Sequence, residues 1–264
     1  MTMPRRQLTE AQWLDALGID SFWITKDSPA ATPAAPSDNE VPVSVPLSSP
    51  PVTAMASINS TAITQGDMSI TNPAEAADWT DLETRIRSCR ACDLCQKRKQ
   101  AVPGMGDHQA TWMLVGEAPG ADEDMAGLPF VGKAGKLLDA MIAALGLNRT
   151  QGVYIANAVK CRPPENRTPE TAEMDACNAF LNQQIALIQP RVILALGRPA
   201  AYAVLGEEAS IQGMRGSVHY RAQDGRKIPV IVTYHPAYLL RQPAEKWKAW
   251  QDLLLADATL KKIG

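Results

Sequence analysis

The sequence predicts an α/β fold: a three-layer sandwich with a central, largely parallel four-stranded sheet flanked by helices, preceded by a disordered N-terminal extension. From residue 79 onward, short apolar runs alternate with longer stretches of helical periodicity, which is typical of α/β chains. The short runs are apolar at nearly every position, as expected for parallel strands that are buried on both faces. A proline-rich stretch before residue 79 has no apolar periodicity and predicts the extension.

The predicted elements follow one another from residue 80. The strands are expected at residues 111–116, 153–159, 191–196 and 228–233. The helices are expected at residues 80–98, 133–145, 169–188, 198–205 and 244–261. In parallel sheets the functional residues lie at the carboxyl ends of the strands. This rule brings four positions to one edge of the sheet: Gly116–Gly120, Asn157, Gly197 and Tyr234–Leu240.

The first 78 residues form two segments outside this pattern. Residues 1–26 contain a short amphipathic helix over residues 5–24, in which apolar side chains recur on one side. Residues 27–78 form a Pro/Ala/Ser-rich linker that holds eight of the chain's 20 prolines. The helix is interpreted either as a cap packed on the domain or as a tethered peptide that binds a partner protein.

Composition excludes two classes of protein. No uncharged apolar run reaches about 18 residues, which excludes a transmembrane helix, and no apolar segment follows the first arginines, which argues against secretion. We therefore expect a cytoplasmic protein. Residues 1–80 carry three basic and nine acidic side chains, whereas residues 81–264 carry 23 basic and 19 acidic ones. The mildly basic domain is compatible with a nucleic-acid partner but does not require one.

Five cysteines in a reducing compartment favour metal ligation over disulfides. Cys89, Cys92 and Cys95 form a C-x2-C-x2-C pattern, and Cys161 and Cys177 follow 16 residues apart. Zinc sites usually use two closely spaced pairs, so the spread of the later cysteines suits an iron–sulfur cluster better. A redox motif and ordinary buried cysteines are the alternatives.

Polar residues at three predicted strand ends are candidate functional residues. Glu117 lies in a Gly-Glu-Ala-Pro-Gly turn, where a carboxylate can position water, stabilise positive charge or simply face solvent. Asn157 interrupts an apolar strand, and its amide can pair with the edge of a pyrimidine ring or tie down a loop. His235 follows the last strand and can donate a hydrogen bond to developing negative charge.

Two neighbouring segments add further candidates. Leu239 and Leu240 precede Arg241, and apolar wedges beside a cation can enter a base stack, although such a segment is also typical of the first turn of a core helix. Residues 127–134 are similar to a phosphate-binding Walker A loop. Ala134 stands where that loop needs Ser or Thr, which argues against binding of a nucleoside triphosphate.

Together these motifs resemble the type-four uracil-DNA glycosylases, the iron–sulfur members of the uracil-DNA glycosylase superfamily. The match runs from about Cys89 to Leu254 and comprises, in order, C-x-x-C, GEAPG-x-x-ED, G-x-PFVG-x-AG, N-x-VKCRPP-x-NR, a cysteine 16 residues after Cys161, ALG and HPAYLLR. The resemblance implies that residues 79–264 form a catalytic domain. It also implies a monofunctional DNA repair enzyme that hydrolyses the N-glycosidic bond of deoxyuridine, releases uracil and leaves an abasic site.

The resemblance also implies a role for individual residues. A 4Fe-4S cluster would be held by Cys89, Cys92, Cys161 and Cys177, which leaves Cys95 spare. The uracil-binding residues would be Gly116, Glu117, Ala118, Phe130, Asn157 and His235, with Glu117 and His235 also catalytic. The DNA-binding residues would be Lys133, Leu239, Leu240 and Arg241.

In this assignment Phe130 stacks on the flipped base, Asn157 reads its edge and His235 hydrogen-bonds its O2 atom. Glu117 either orients the attacking water or stabilises the positive charge on the sugar, and Glu123 is an alternative residue for positioning the water. We expect a monomer that acts on uracil-containing DNA at the nucleoid. A replication or repair protein would bind through residues 5–24. The alternative functions are excision of a broader range of damaged bases and non-catalytic lesion binding by an iron–sulfur protein.

Overall fold

The computed structural model describes residues 78–207 and 209–263. The predicted helix at residues 5–24 and the predicted linker up to residue 77 lie outside the described residues. The strands, in chain order, are β1 Met105–Gly106, β2 Trp112–Gly116, β3 Val153–Asn157, β4 Val192–Leu196, β5 Val218–Gln223 and β6 Arg226–Thr233. The four strands expected from the sequence are therefore present as β2, β3, β4 and β6.

The sheet is ordered β1-β3-β2-β4-β6-β5. The four inner strands are parallel to one another, while β1 and β5 pair antiparallel with β3 and β6 at the two edges. The predicted α/β fold with a largely parallel sheet is confirmed, and the two edge strands extend it to six. In the register of the inner strands, Gly116 lies beside Asn157 and Leu196 beside Thr233, so these strand ends meet at one edge.

Nine α-helices occur within the described residues. They are α1 Trp79–Ser88, α2 Leu94–Lys97, α3 Ala121–Ala126, α4 Lys133–Ala144, α5 Thr171–Ile188, α6 Arg198–Leu205, α7 Ile211–Met214, α8 Pro236–Arg241 and α9 Lys246–Lys262. Two short 3-10 turns cover Pro164–Asn166 and Pro243–Glu245. None of the helices described is long and apolar enough to cross a membrane.

The expected single helix over residues 80–98 is two helices. The side chain of Asp78 accepts a 2.9 Å hydrogen bond from the Asp81 amide and begins α1. The backbone of Cys89 then becomes extended, with ψ 137°, and the chain turns before α2. After this break, Cys89 and Cys92 line one cavity together with the other cysteines.

The core has one layer on each face of the sheet, because neighbouring residues of each strand point to opposite sides. On one face, Leu114 and Ile155 pack with α4 and α9. On the other face, Met113 and Ile193 pack with α5 and α6. A smaller cluster forms where Leu82 and Ile86 of α1 meet the residues around the cysteines. The helices thus leave the carboxyl edge of the four parallel strands open for a site.

Candidate active site

A cavity of about 590 Å³ opens at the carboxyl ends of the four parallel strands. Each of these strands supplies lining residues directly at its end, namely Glu117, Asn157, Gly197 and His235. The four positions that the sequence placed on one edge of the sheet therefore line the same cavity. Loops contribute Ala118, Phe130 and Thr168 to its walls, and the ends of α6 and α8 contribute Arg198 and Arg241.

Gly116 leaves room for two side chains at the base of this cavity. A Cβ atom at this position would lie 2.4 Å from Asn157 Oδ1 and 2.5 Å from Phe130 Cζ, distances that real side chains do not tolerate. The absent side chain allows the amide and the ring to approach the end of β2 closely. The absence of a side chain at Gly116 thus makes room for Asn157 and Phe130 at the base of the cavity.

Asn157 presents a buried polar group without a protein partner. The residue is 2% exposed. Its Oδ1 atom accepts no hydrogen bond from any residue that the structure describes. Buried carbonyl oxygens in proteins nearly always have a donor, and a ligand that carries an N–H group can supply the one that Asn157 lacks.

Phe130 forms an aromatic wall beside His235. Phe130 is 5% exposed, and the centroid of its ring lies 5.6 Å from that of His235 with the planes tilted by 30°. Its backbone has φ 54°, in the left-handed region that bulky residues rarely adopt. The ring is therefore held in place by the surrounding loop rather than by its own backbone preference.

His235 is the N-cap of α8, and this fixes the tautomer of its ring. The Nδ1 atom accepts a 3.1 Å hydrogen bond from the Ala237 amide. Burial, with a smaller contribution from the charge of Arg241, lowers the pKa of His235 to about 4. A neutral ring that accepts at Nδ1 carries its proton on Nε2, so His235 is an uncharged donor at neutral pH.

Glu117 has an environment that favours its protonated form more than water does. Burial raises the pKa of Glu117, and a hydrogen bond with the side chain of Thr168 partly offsets this effect. Thr168 follows the loop of Cys161 and carries no strand-end or motif signal, which is why sequence reasoning missed it. Its place beside Glu117 follows from the folding of that loop over the sheet edge.

The carboxylate of Glu123 accepts hydrogen bonds from three backbone amides. One carboxylate oxygen accepts from the Gly120 amide at 3.0 Å. The other accepts from the amides of Val131 and Gly132 at 2.9 and 3.1 Å. These three hydrogen bonds join the turn after β2 to the loop of Phe130, so Glu123 fixes the position of that loop.

The predicted DNA-binding residues lie in different environments. Arg241 is exposed and lines the cavity, whereas Lys133 and Leu240 are exposed outside its lining. Leu239 is 1% exposed and packs in the core against α4 and α9, which corrects the expectation that it contacts DNA. The short helix α8 turns its side chain inward. Arg198 is an exposed cation of the cavity wall that the sequence did not single out, although it directly follows the predicted Gly197.

All five cysteines line a second cavity between α1, α2 and α5. None of them forms a disulfide. Burial raises the pKa of the Cys161 thiol to about 11 and that of Cys177 to about 12. A cationic group at these sulfurs would favour the thiolate form, because it compensates the buried negative charge.

Several N–H groups point at the sulfurs. Arg98 donates to Cys161 Sγ at 2.8 Å, and the Lys160 amide lies 3.3 Å from Cys177 Sγ. Among the described residues, no group of three or more Cys, His, Asp or Glu side chains is arranged to hold a single metal ion. The five sulfurs therefore line one small cavity, and N–H donors are directed at two of them.

Comparison with known proteins agrees with this architecture. Residues 103–254 match the family model of the uracil DNA glycosylase superfamily. The chain belongs to the uracil-DNA glycosylase superfamily. The type-4 uracil-DNA glycosylase of Archaeoglobus fulgidus is 46% identical over 188 residues, which cover 70% of this chain and 90% of that protein.

Two other members of the superfamily show where the chain falls within it. The type-4 uracil-DNA glycosylase of Pyrobaculum aerophilum is 44% identical, with 67% of this chain and 92% of that protein covered. The type-5 uracil-DNA glycosylase of Thermus thermophilus is 34% identical, with 66% and 94% covered. The resemblance to the type-four uracil-DNA glycosylases is thereby confirmed.

Proposed function

We propose that this chain hydrolyses the N-glycosidic bond of deoxyuridine in DNA, releasing uracil and leaving an abasic site. The observation that carries the proposal is the unpartnered Oδ1 atom of Asn157, in a slot formed by Gly116, Phe130 and His235. Membership of the superfamily and 46% identity to a type-4 uracil-DNA glycosylase support it.

The slot matches the edge of uracil. Uracil carries an N3–H donor beside the O4 acceptor, so N3–H can donate to Asn157 Oδ1 while the amide nitrogen donates to O4. Cytosine presents an acceptor at N3 and a donor at N4, which would leave buried groups unpaired. Because the base edge is inaccessible inside a duplex, the nucleotide must first be flipped out of the stack.

His235 stabilises the departing base. As the bond between C1′ of the sugar and N1 of uracil breaks, the bonding electron pair moves into the ring and negative charge gathers on O2. The Nε2–H group of His235 is the donor available to that oxygen, since Nδ1 is occupied by the Ala237 amide. One well-placed donor of this kind is worth roughly 3–4 kcal/mol in the transition state.

Glu117 acts on the sugar side of the same bond. In its ionised form it stabilises the positive charge that develops on the sugar and can accept the proton of the water that adds to C1′. Its partner Thr168 orients the carboxylate. The carboxylate of Glu123 already accepts three hydrogen bonds from backbone amides, so Glu117 is favoured over Glu123 for this role.

The cysteines of the second cavity would hold a 4Fe-4S cluster. In such a cluster each of four thiolates binds a different iron, so the sulfurs surround a larger group than a single ion. Cys89, Cys92, Cys161 and Cys177 would hold it, and the N–H donors from Arg98 and Lys160 suit anionic sulfur. When bound, the cluster would link the loop after β3 to α1 and α5. It would thereby also fix the position of Thr168 beside Glu117.

DNA would lie over the open edge of the sheet. Arg241 and Arg198 are exposed cations at the cavity wall and would contact phosphates, as would Lys133 from the start of α4. Leu240 is 44% exposed beside Arg241 and is the residue of that segment that could fill the space left by a flipped base.

The remaining expectations concern the whole chain. We expect a monomer that acts at the nucleoid in the cytoplasm. Residues 5–24 would recruit the catalytic domain to a replication or repair protein, and residues 27–78 would act as the tether.

The test uses an end-labelled oligonucleotide with a single uracil, followed by alkali to break abasic sites. Wild-type protein with confirmed iron and sulfide content should give strand breaks at uracil and none at thymine in the same position. E117Q should cut the same site far more slowly. Equal cleavage of other damaged bases would indicate a broader glycosylase. Binding without cleavage would indicate a lesion reader, and either result would contradict the proposal.

A further inference from the structure

We propose that Arg149 is a positioning residue for base recognition, because its guanidinium holds the backbone of Phe130 in the conformation that presents the ring to the cavity. The inference rests on the proposed function, since it assigns Phe130 to the wall of the uracil site. Arg149 precedes β3 and does not line the cavity, so it would act through Phe130.

The guanidinium of Arg149 donates hydrogen bonds to three backbone carbonyls. It donates through Nη1 to Pro129 O at 2.9 Å, and through Nη2 to Phe130 O and, at 3.2 Å, to Gly135 O. Asp139 of α4 accepts from Nε and fixes the plane of the group. A planar fork of five N–H donors can serve such a set at once, which a lysine ammonium cannot do with the same geometry.

The loop needs such a restraint because Phe130 has φ 54°. A bulky residue in the left-handed region is strained and persists only where its surroundings enforce it. Gly135 contributes by its lack of a side chain, since a Cβ atom there would lie 1.7 Å from Phe130 O. The carbonyl of Phe130 therefore lies directly against the first turn of α4, where Arg149 reaches it.

Glu123 holds the same loop from the other side, beginning at the peptide group that joins Phe130 to Val131. Its carboxylate accepts from the amides of Val131 and Gly132 at 2.9 and 3.1 Å. The loop is thus fixed by a cation at two successive carbonyls and by an anion at the next two amides. Charge-assisted bonds of this kind are stronger than neutral ones, so together they can hold a strained residue.

Loss of Arg149 would release the carbonyls of Pro129 and Phe130. Phe130 would then relax toward negative φ, and its ring would leave its position near Gly116 and His235. Because a stacked ring contacts the flipped base both before and during bond cleavage, its loss should weaken binding more than it slows chemistry.

The test compares R149M with R221M in the full chain. Arg221 is a matched control, because it is also part-buried and also lies outside the cavity lining. It donates to Val204 O at 2.6 Å and Asn182 Oδ1 at 2.8 Å rather than to the loop of Phe130. The readouts are KM and kcat on single-uracil DNA, inhibition by free uracil, and the melting temperature. R149M should raise both KM and the inhibition constant of uracil about tenfold, the value of one base–aromatic stack, with a smaller change in kcat.

R221M should leave KM and uracil inhibition unchanged even if its melting temperature falls. R149K should recover part of the loss, since it retains the charge without the fork. In the F130A background, R149M should add no further loss of uracil inhibition, because its effect passes through that ring. If R149M does not fold, D139N, which weakens the support of the guanidinium, replaces it and should raise the same two constants by a smaller factor.

Two results would overturn the inference: unchanged uracil inhibition in a folded Arg149 or Asp139 variant, or full additivity of R149M with F130A. Wild-type protein that excises uracil while R149M behaves like R221M would refute this inference and leave the proposed function intact. Wild-type protein that neither excises nor binds uracil would refute both.

Discussion

The amide of Ala237 donates a 3.1 Å hydrogen bond to Nδ1 of His235. This helix cap determines that the ring proton of a candidate catalytic histidine is on Nε2. Because the helix begins at this residue, the ring cannot turn without losing the cap. Burial keeps the ring neutral, with its pKa lowered to about 4. The backbone of α8 thus determines which nitrogen of His235 faces the cavity as a donor.

The pH dependence of excision should report Glu117. Burial raises the pKa of Glu117 above its ordinary value of 4.5. The carboxyl group therefore keeps its proton to a higher pH than it would in water, and the active carboxylate forms only above this raised pKa. The single-turnover rate should therefore rise with pH through the Glu117 pKa and then level off, because His235 is already neutral there. E117Q should lack this limb. An unchanged limb in E117Q would assign the titration to another group.

A single methyl group at Gly116 should close the base slot. G116A would place a Cβ 2.4 Å from Asn157 Oδ1 and 2.5 Å from Phe130 Cζ, so both groups must move. We expect excision to fall by about 100-fold, as for loss of a well-aligned reacting geometry. G213A is the control, since its nearest neighbour is Ser210 Oγ at 3.3 Å. Similar rates for G116A and wild type would show that the base does not lie at the end of β2.

The cysteines should separate into ligands and a spare. C161A should lose the iron and sulfide of the purified protein together with its brown colour, because a buried ligand is removed. C95A should retain both, together with wild-type excision. Iron analysis and the visible spectrum measure this directly. The opposite pattern would place Cys95 in the ligand set, which its position in the lining of the same cavity would allow.

Adjacent leucines of α8 should behave differently. L239A removes a core side chain that is 1% exposed and should cost roughly 2–5 kcal/mol of unfolding free energy. L240A changes a side chain that is 44% exposed and should leave stability nearly unchanged while weakening binding to uracil-containing DNA. Denaturant unfolding and DNA-binding titrations distinguish the two. A stable L239A variant with impaired DNA binding would restore the original assignment of Leu239.

Truncation tests the proposed tether. A chain that begins near residue 79 retains every residue of the described cavity and should excise uracil from oligonucleotides at the rate of the full chain. Parallel rate measurements on the two proteins check this. A large loss of rate, with the melting temperature also lowered, would favour the alternative in which residues 5–24 pack on the domain.

Much of the fold was predictable because its signals are local. The runs that form β2, β3, β4 and β6 are apolar on both faces, which distinguishes buried parallel strands from helices over a few residues. The strand-end rule then placed Glu117, Asn157 and His235 together without any contact information. The edge strand β5 was missed, because its sequence VHYRAQ is largely polar and half-exposed. It is recognised as a strand only by its pairing with β6.

The sequence by itself determined the α/β class, the shared strand edge and the types of group available there. Tertiary structure decided how those groups are held. It brought Thr168 to Glu117, turned Leu239 into the core and left Asn157 Oδ1 without a protein donor. It also placed Arg149 against the strained Phe130, across 19 positions of the chain. Periodicity depends on neighbours along the chain, whereas these contacts depend on how separate elements pack, and no local pattern encodes that packing.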